Sequence, residues 1–327
     1  MEIVSSGLNN LMSPVDYQRK NIQNFISTFL KQHNGYELIP ISYRLTVFDT
    51  ELLLKKAMAI LIQNEEDVAA LWDSKRQKFY GLVSSNNLVN IIQYYYINFS
   101  LAEAIDDINS IKLSGYIDVL FENYSISTTQ LKNSPLESLY KISKQLISKN
   151  CSSIVLVDTD PISKTDVLAS TLSTYQIIQF ISSNITEKDI FKSHTLFELG
   201  IGTYQKKISV TMETKVFDVV SLFIENDISV VPVLDSDGTL INAFDRSDMN
   251  YILKEGMLED LSTTVEQAIE YRLEDYQGVH TCNKNDNLLS ILNMLRKKQI
   301  QRFIAVDEQT RLEGIITLSD ILRFLIN

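Results

Sequence analysis

The chain has 327 residues, of which 45% are hydrophobic and 22% are charged, so it is long enough for two ordinary domains and has a globular composition. Its formal net charge of −11 argues against nucleic acid as a partner, because binding to phosphates needs a basic surface. Two cysteines make no disulfide framework, three scattered histidines lack metal-ligand spacing, no apolar run is long enough to span a membrane, and the polar start does not resemble a signal peptide. We therefore expect a protein of the cell interior without a metal site.

The first 34 residues predict one amphipathic helix. Four apolar residues there follow helical spacing, which places them on one face of a helix: Ile22, Phe25, Ile26 and Phe29. Residues 1–34 are therefore assigned to an N-terminal helical segment.

The rest of the chain repeats one pattern four times: an apolar strand, a turn that contains aspartate, a second strand and a helix opened by a polar residue. The copies cover residues 71–92, 155–180, 232–253 and 304–325. Their turn aspartates are Asp73, Asp158, Asp235 and Asp307. A separation of 72 to 85 residues is too long for a helical solenoid and suits a βαββα unit. Apolar residues on both faces of the strands indicate sheets covered by helices, so the predicted fold class is α/β (α+β).

A helix is also predicted ahead of each strand pair, because apolar residues there follow helical spacing. The clearest cases are Val216, Val219, Val220 and Phe223 in the third copy, and Leu288, Ile291, Leu292 and Leu295 in the fourth. In the second copy, Ser134-Pro135-Leu136-Glu137 predicts the helix start, since it combines a capping box with proline at the first helical position.

The last helix of each copy opens with two polar residues three positions apart. The pairs are Ser84 and Asn87, Ser173 and Gln176, Asp245 and Asp248, and Thr317 and Asp320. A capping box accounts for this spacing in all four copies. A helix N-terminus also concentrates unpaired amides and positive dipole, which suits a phosphorylated ligand. Capping and ligand binding are both open from the sequence.

The copies divide the chain into two halves of two units each. The first half, residues 35–186, holds units at 35–96 and 116–186, and the second half, residues 187–327, holds units at 195–258 and 262–327. A polar stretch over residues 182–195 marks the boundary between the halves.

Several strings of residues resemble one family. They are Ser42-Tyr43-Arg44-Leu45, Leu71-Trp72-Asp73-Ser74-Lys75, Ile201-Gly202-Thr203-Tyr204 and the run from Glu313 to Leu322. The repeated unit resembles the cystathionine-β-synthase (CBS) motif, whose copies pair into Bateman modules. Together the strings resemble the γ regulatory subunits of the AMP-activated protein kinase family, especially those of the fungal glucose-response kinase. The resemblance runs from about residue 20 to the C-terminus and is stronger in the second half.

The resemblance implies a non-catalytic subunit of an αβγ heterotrimer, in which two Bateman modules form a disk with central clefts for adenine nucleotides. In this family the aspartate of the second helix binds a ribose, a serine or threonine at the helix start contacts the ligand, and basic residues of neighbouring units bind phosphates. These roles suit the chemistry, because a carboxylate accepts hydrogen bonds from both hydroxyls of a ribose and a guanidinium matches phosphate.

Carried over position by position, the resemblance implies unequal clefts. Unit one has Asn87 in place of the aspartate and Asp67 in place of a basic residue. Unit two has Ser152-Ser153 where basic residues are usual and Gln176 at the helix position. Asp67 and Ser152-Ser153 thus remove phosphate-binding groups from the first two units, and Asn87 and Gln176 replace the ribose-binding aspartate.

The expected nucleotide site is therefore one cleft, built mostly from unit four with contributions from unit three. Its candidate residues are Thr203, Ser229, Val230, Asp248, Arg272, Arg302, Thr317, Leu318, Ser319 and Asp320. The resemblance implies AMP, ADP and ATP as regulatory ligands with no required cofactor, the kinase α and β subunits as partners, and a place in the cytoplasm and nucleus. No catalytic residue is assigned, because no Gly-rich phosphate loop, nucleophile elbow or paired Cys motif is present.

Two alternatives stay open at this point. The first is a scaffold subunit of the same kinase with vestigial nucleotide sites, which Asn87, Asp67 and Ser152-Ser153 favour. The second is a free-standing CBS ligand-binding protein or a fragment of an enzyme regulated by such modules, which is weakened by the family strings above.

Overall fold

The computed structural model describes residues 13–41, 44–64, 66–124, 127, 130–205, 207–254, 262–272, 276 and 278–327. Ser42 and Tyr43 of the first family string lie outside these residues, as do the first 12 positions and the predicted unit boundary at residue 258. Within the described residues, no helix is long and apolar enough to cross a membrane, and no group of three or more His, Cys, Asp or Glu side chains is placed to hold a metal ion.

The first described element is helix α1 (Pro14–Gln32), which confirms the predicted amphipathic helix. Its start is fixed by Ser13, whose Oγ accepts a hydrogen bond from the main-chain N of Asp16 at 3.1 Å. Ile22, Ile26 and Leu30 are buried on the face that packs against helices of units two and four.

The structure contains the first two predicted βαββα units. Unit one consists of β1 (Val47–Asp49), α2 (Leu54–Gln63), β2 (Val68–Asp73), β3 (Lys78–Ser84) and α3 (Ser85–Asn98). The connecting helices are α4 (Leu101–Ser110) and α5 (Leu113–Tyr124). Unit two consists of β4 (Lys132–Asn133), α6 (Leu139–Ser148), β5 (Ser153–Thr159), β6 (Asp166–Ser173) and α7 (Thr174–Asn184). In each sheet the first strand is parallel to the second and the third is antiparallel to it.

The second half repeats this order. Unit three consists of α8 (Val216–Glu225), β7 (Val230–Leu234), β8 (Leu240–Asp245) and α9 (Asp248–Lys254). Its first strand is reduced to one parallel bridge between Val210 and Val233. The connecting helix is α10 (Val265–Ile269). Unit four consists of β9 (Thr281–Cys282), α11 (Leu288–Lys297), β10 (Arg302–Val306), β11 (Leu312–Thr317) and α12 (Leu318–Ile326).

The hairpin of each unit has the same irregularity, which supports a common origin of the four units. The register shifts just before the turn, between Leu71 and Trp72, Leu156 and Val157, Val233 and Leu234, and Ala305 and Val306. A bulge at this place increases the local twist and directs the strands into the turn.

Three of the four predicted turn aspartates hold their turns. The Oδ1 atoms of Asp73, Asp235 and Asp307 each accept two main-chain N–H bonds. The prediction is wrong for Asp158, which lies one residue before the end of β5 and whose Oδ1 accepts from the adjacent main-chain N of Thr159. Because the loop of unit two is longer, Asp160 takes this role and accepts hydrogen bonds from the main-chain N atoms two and three residues ahead.

The predicted helix start at Ser134 is also wrong. Helix α6 begins at Leu139, and Ser138 caps it through a bond from the main-chain N of Lys141 to its Oγ at 3.4 Å. The carbonyl of Pro135 instead accepts a hydrogen bond from the main-chain N of Tyr36 at 2.7 Å. This pairing with a distant segment holds residues 134–137 in a turn, so tertiary contacts override the local helix signal.

The units pair through their hairpins as expected for two Bateman modules. Between units one and two, the main-chain N of Phe79 donates to Asp166 Oδ2 at 3.1 Å. Between units three and four, the main-chain N of Leu240 donates to the carbonyl of Thr310 at 3.0 Å. Each sequence-adjacent pair of units is thus joined at its strands.

The two pairs then join through their helices. Helices α2 and α3 of unit one contact α8 and α9 of unit three, while α6 and α7 of unit two contact α11 and α12 of unit four. One large hydrophobic core therefore combines units one and three, and a second combines units two and four with α1. The four units form a closed ring, which is the disk that the resemblance implied.

The segment ahead of each pair packs on the second unit of that pair. Asn34 bridges Ser138 at the start of α6, and Thr195 bridges Asn287 at the start of α11. The sequence that opens predicted unit one, at Gly35, therefore lies against unit two. A segment that precedes unit one in the sequence therefore packs on unit two. The predicted domain bounds stay predictions.

Candidate functional site

The strand ends bring equivalent positions together at the start of each unit's last helix. The paired positions are Val68 and Ser84, Ser153 and Ser173, Val230 and Asp245, and Arg302 and Thr317. This common register confirms that the polar residues at the four helix starts are equivalent. Among the eight paired residues Arg302 is the basic one, and it lies beside Thr317.

Capping boxes form in units two and four, as predicted. Thr317 Oγ1 accepts a bond from the main-chain N of Asp320 at 3.1 Å, and Asp320 Oδ2 accepts one from the main-chain N of Thr317 at 2.9 Å. Ser173 and Gln176 make the same two bonds at 3.2 and 2.8 Å. The side chains at these helix starts therefore have a structural role whether or not a ligand binds.

The capping prediction is wrong for unit one and half right for unit three. Ser84 makes no side-chain cap bond, and the reciprocal bond is replaced, since the main-chain N of Ser84 donates to the hydroxyl of buried Tyr116 at 3.3 Å and Asn87 also bonds that hydroxyl. In unit three, Asp248 Oδ2 accepts from the main-chain N of Asp245 at 2.8 Å, but no reciprocal bond forms because α9 begins only at Asp248.

The segment around Thr203 lies directly on strand β11. The main-chain N of Thr203 donates to the carbonyl of Ile315 at 2.8 Å, and the N of Ile315 donates back at 3.0 Å. Because Ile315 is two residues before Thr317, this bridge brings exposed Thr203 to the same end of β11 as Thr317 and Asp320. Three predicted site residues are thus grouped by backbone pairing.

Two glycines allow this close approach. A Cβ on Gly202 would lie 2.6 Å from the Ile316 side chain, and Gly202 has a φ of +105°, which disfavours other residues. A Cβ on Gly314 would lie 2.7 Å from the carbonyl of Thr203. The Ile-Gly-Thr-Tyr and Glu-Gly-Ile-Ile strings are therefore explained by backbone packing.

Asp248 and Arg272, two further predicted site residues, form a buried ion pair. Arg272 Nε and Nη2 donate to the two oxygens of Asp248 at 2.7 and 2.6 Å, and only 4% of each side chain is exposed. Arg272 also donates to Asn242 Oδ1 at 2.9 Å and to the carbonyl of Ala243 at 2.6 Å, and its guanidinium lies 4.2 Å from the ring centre of Tyr276. This geometry fixes the wall of the cleft.

Arg302 is held more loosely. Its Nη1 lies 3.3 Å from Asp245 Oδ2 and donates to the carbonyl of Ser229 at 3.3 Å. About a fifth of each side chain is exposed, 21% for Arg302 and 20% for Asp245. Arg302 therefore combines access to solvent with contacts that join unit four to unit three.

Carboxylates dominate the electrostatics around Arg302. Asp67 of unit one is exposed to solvent, yet the surrounding protein raises its pKa, with Asp245 adding to the rise and Arg302 opposing it. Burial alone would raise the pKa of Asp245, but Arg302 and the hydrogen bonds from Ser247 bring it below its usual value. Asp67, Asp245 and Arg302 therefore belong to one electrostatic neighbourhood at the expected nucleotide site.

The charge of Asp245 also affects Asp248. Burial and the charge of Asp245 raise its pKa to about 6, and the bonds from Arg272 act in the opposite direction. Among the residues that the structure describes here, three carboxylates, those of Asp67, Asp245 and Asp248, thus lie with the guanidinium groups of Arg272 and Arg302.

The ten predicted site residues fall into two neighbouring groups joined by Arg302. One group lies at the junction of β11 and α12 and contains Thr203, Thr317, Leu318, Ser319 and Asp320. The other lies at the ends of β7 and β8 and contains Ser229, Val230, Asp248 and Arg272. Arg302 belongs to both, since its backbone pairs with Thr317 and its side chain reaches Ser229.

Sequence reasoning missed two residues of this wall, Asn242 and Tyr276. Tyr276 stands four residues after Arg272, a weak signal, whereas Asn242 is placed only by the register of the β7–β8 hairpin. Sequence reasoning also treated Asp67 only as a lost basic residue of unit one, while the structure couples it electrostatically to Arg302 of unit four.

Comparison with known proteins gives one consistent family. The CBS domain family matches residues 202–255 and 273–327. The chain is 35% identical over 304 residues to the 5'-AMP-activated protein kinase subunit gamma of Saccharomyces cerevisiae, covering 92% of each chain. It is 35% identical over 317 residues to the subunit of the same name from Kluyveromyces lactis, covering 95% of this chain and 94% of that one.

Solved structures support the fold. A protein of Methanocaldococcus jannaschii superposes with a TM-score of 0.70 at 16% identity, over 89% of this chain and 99% of the other. A Pyrococcus horikoshii protein superposes with a TM-score of 0.51 at 12% identity, over 90% of this chain and 100% of the other. The fold is therefore shared with proteins that are only 12 to 16% identical in sequence.

Proposed function

The chain belongs to the family of γ subunits of the 5'-AMP-activated protein kinase, and on that premise we propose that it is a non-catalytic regulatory subunit that binds an adenine nucleotide in the cleft around Arg302. The relatives that carry this family name align with nearly the whole chain, so the premise does not depend on one domain. The observation that supports the site is Arg302 itself, the basic residue among the equivalent strand ends, partly exposed and next to Thr317.

The chemistry of the two residue groups suits such a ligand. The Arg302 guanidinium would bind a phosphate, since its planar donors match phosphate oxygens. Asp320 keeps Oδ1 outside the capping box, where its neighbour is the half-exposed Arg323 at 3.4 Å, so this oxygen would accept a ribose hydroxyl. The hydroxyls of Thr203, Ser229 and Ser319 would complete the polar contacts.

The remaining predicted residues would shape the cleft. Val230 and Leu318 are buried, with 2% and 5% exposure, and directly follow Ser229 and Thr317 in the chain. Asp248 and Arg272 would support the wall through their ion pair, and a direct contact between either residue and the ligand stays a prediction.

Regulation would follow from the position of the site between units. Arg302 contacts unit three and is coupled to Asp67 of unit one, so a ligand that binds Arg302 changes contacts between three units of the ring. A nucleotide shifts a kinase between two states only by the difference in its affinity for them. We propose that AMP, ADP and ATP act in this way, as regulatory ligands and not as required cofactors.

The assembly and location belong to the same proposal. The partners would be the catalytic α subunit and the β scaffold subunit of the kinase, with a role in energy sensing and in derepression on glucose limitation. The complex would act in the cytoplasm and nucleus, where the two free cysteines, Cys151 and Cys282, stay reduced.

Calorimetry with the full chain tests the proposal. AMP, ADP and ATP are titrated into the wild type, into Arg302→Gln and into Arg296→Gln, a control on the exposed end of α11. Loss of a charged hydrogen-bond partner is expected to weaken the best nucleotide roughly 10- to 100-fold in Arg302→Gln and to leave the control unchanged.

The contrary result is no binding by the wild type at millimolar nucleotide. If the chain still co-purifies with kinase subunits in that case, it is a scaffold with vestigial sites. If it neither binds nucleotide nor co-purifies with them, the regulatory role itself fails.

A further inference from the structure

Two aspartate–arginine pairs lie close together, and they differ in the number and length of their contacts and in their exposure to solvent. The Asp248–Arg272 pair is bidentate, at 2.6 and 2.7 Å, with 4% of each side chain exposed. The Asp245–Arg302 pair has one contact at 3.3 Å, and about a fifth of each side chain is exposed. A charged pair of optimal geometry lies at 2.7–2.9 Å, so the first pair is structural and the second is open to exchange.

Asp245 already contacts the guanidinium of Arg302, the group that would bind the phosphate in the proposed site. Its Oδ2 faces the guanidinium, while Oδ1 is held by the main-chain N and the hydroxyl of Ser247. These bonds fix the carboxylate next to Arg302 without using the oxygen that makes the ion pair. A phosphate that approaches Arg302 therefore competes with an internal anion already in position.

The surrounding charges increase the cost of bringing in more negative charge. Asp67 reaches this neighbourhood from unit one, and its pKa is affected by both Asp245 and Arg302. Together with Asp248 and Arg272, these side chains carry three negative and two positive charges when ionised. Each added phosphate of a nucleotide meets this net negative field, and like charges at close range repel each other strongly in a partly desolvated cleft.

We propose that Asp245 is a specificity-determining residue, which competes with the ligand's phosphate for Arg302 and makes the cleft prefer adenine ligands of low negative charge. The inference rests on the proposed function, because it requires that the cleft binds an adenine nucleotide. Asp67 acts in the same direction from unit one. The expected order of affinity in the wild type is AMP above ADP and ADP above ATP, with adenosine losing little relative to AMP.

The test compares adenosine, AMP, ADP and ATP by calorimetry on the full chain. Asp245→Asn removes the charge and keeps an oxygen that can accept the bonds from Ser247. Asp237→Asn is the matched control, because it removes one negative charge from the exposed turn at the other end of the same hairpin. Asp67→Asn is a second variant on a different element, in case Asp245→Asn does not fold.

In Asp245→Asn, the affinity for AMP relative to adenosine is expected to rise about tenfold or more, and the affinity for ATP to rise further. Asp67→Asn should shift the same ratios in the same direction, and Asp237→Asn should not. Adding Arg302→Gln to Asp245→Asn should abolish the gain, since the released guanidinium is its cause. Binding of AMP by Asp245→Asn when the wild type binds none would also support the inference.

An unchanged ratio of AMP to adenosine affinity in Asp245→Asn and Asp67→Asn, with clear binding by the wild type, overturns the inference and leaves the proposed function intact. Absence of binding by all four ligands to the wild type and to both variants overturns the nucleotide-binding function, and the inference falls with it.

Discussion

Removal of the Arg272 side-chain charge is expected to destabilise the fold strongly. Arg272→Met keeps an unbranched chain of similar reach and deletes every hydrogen bond of the guanidinium, including both bonds to Asp248, the bond to Asn242 and the bond to the carbonyl of Ala243. Asp248 then keeps a buried carboxylate, 4% exposed, with Asp245 as its charged neighbour.

The magnitude follows from the burial of the pair. Breaking a buried ion pair by removing one partner costs roughly 3–5 kcal/mol, because the other charge stays buried and uncompensated. That is a large part of the 5–15 kcal/mol that typically separates folded from unfolded domains. The control Arg296→Met, on the exposed end of α11, should change the free energy of unfolding by less than about 0.5 kcal/mol.

Urea unfolding, followed by circular dichroism, measures this loss, and its pH dependence identifies the cause. The pKa of Asp248 is raised to about 6 in the fold, above its ordinary value of 3.8, so ionisation of this group lowers stability as pH rises between those values. Without Arg272 its pKa rises further and the cost continues to grow above pH 6. The difference between wild type and variant should therefore be larger near pH 8 than near pH 5.

The double variant Arg272→Met with Asp248→Asn separates lost charge pairing from lost packing. It should recover part of the stability, because the unpaired carboxylate is gone. A loss below about 1 kcal/mol in Arg272→Met, or an equal loss at both pH values, would refute the buried ion pair as the element that fixes the cleft wall.

Gly314→Ala should lower the free energy of unfolding by about 1–3 kcal/mol in the same urea assay, because its Cβ would lie 2.7 Å from the carbonyl of Thr203. Gly115→Ala, within helix α5, is the contrasting variant: its Cβ would lie 3.3 Å from the Ile111 side chain, which a small side-chain movement relieves, and the helix propensity of alanine offsets that cost, so the change should stay within about 0.5 kcal/mol. Equal losses in the two variants would contradict the close approach. Burial raises the pKa of Cys151 and of Cys282 to about 12, so both thiols should resist a thiol reagent in the folded protein and react at once after unfolding. Fast labelling of the native protein would show that these thiols are accessible and ionised.

The sequence by itself determined the architecture at the level of local pattern. The turn aspartates and helical periodicities gave four βαββα units, and the three-residue spacing at the last helices located equivalent positions that the strand register confirms. These features follow from hydrophobic periodicity and turn chemistry, which act over a few residues. Arg302 could be identified in the same way, since its position within the repeat is enough to compare it with its equivalents.

Predictions from local sequence patterns were wrong where a residue distant in sequence bonds the backbone group concerned. The capping box at Ser134 is a sound helix signal, but the segment at Tyr36 takes the carbonyl of Pro135 and the helix begins at Leu139. At Ser84, likewise, the main-chain N that a reciprocal capping box would use donates to the hydroxyl of Tyr116. Both errors have one cause: a backbone group that local rules assign to a helix is bonded by a residue from elsewhere.

Only the tertiary structure decided the electrostatic character of the site. Arg272 binds Asp248 from 24 positions away, and Arg302 is coupled to Asp67, which belongs to another unit. Charge interactions depend on distance through space and on burial, neither of which is encoded in spacing along the chain. The sequence therefore identified Arg302 as the basic residue among the equivalent strand ends, and the folded ring determined that this residue is already paired with an acid.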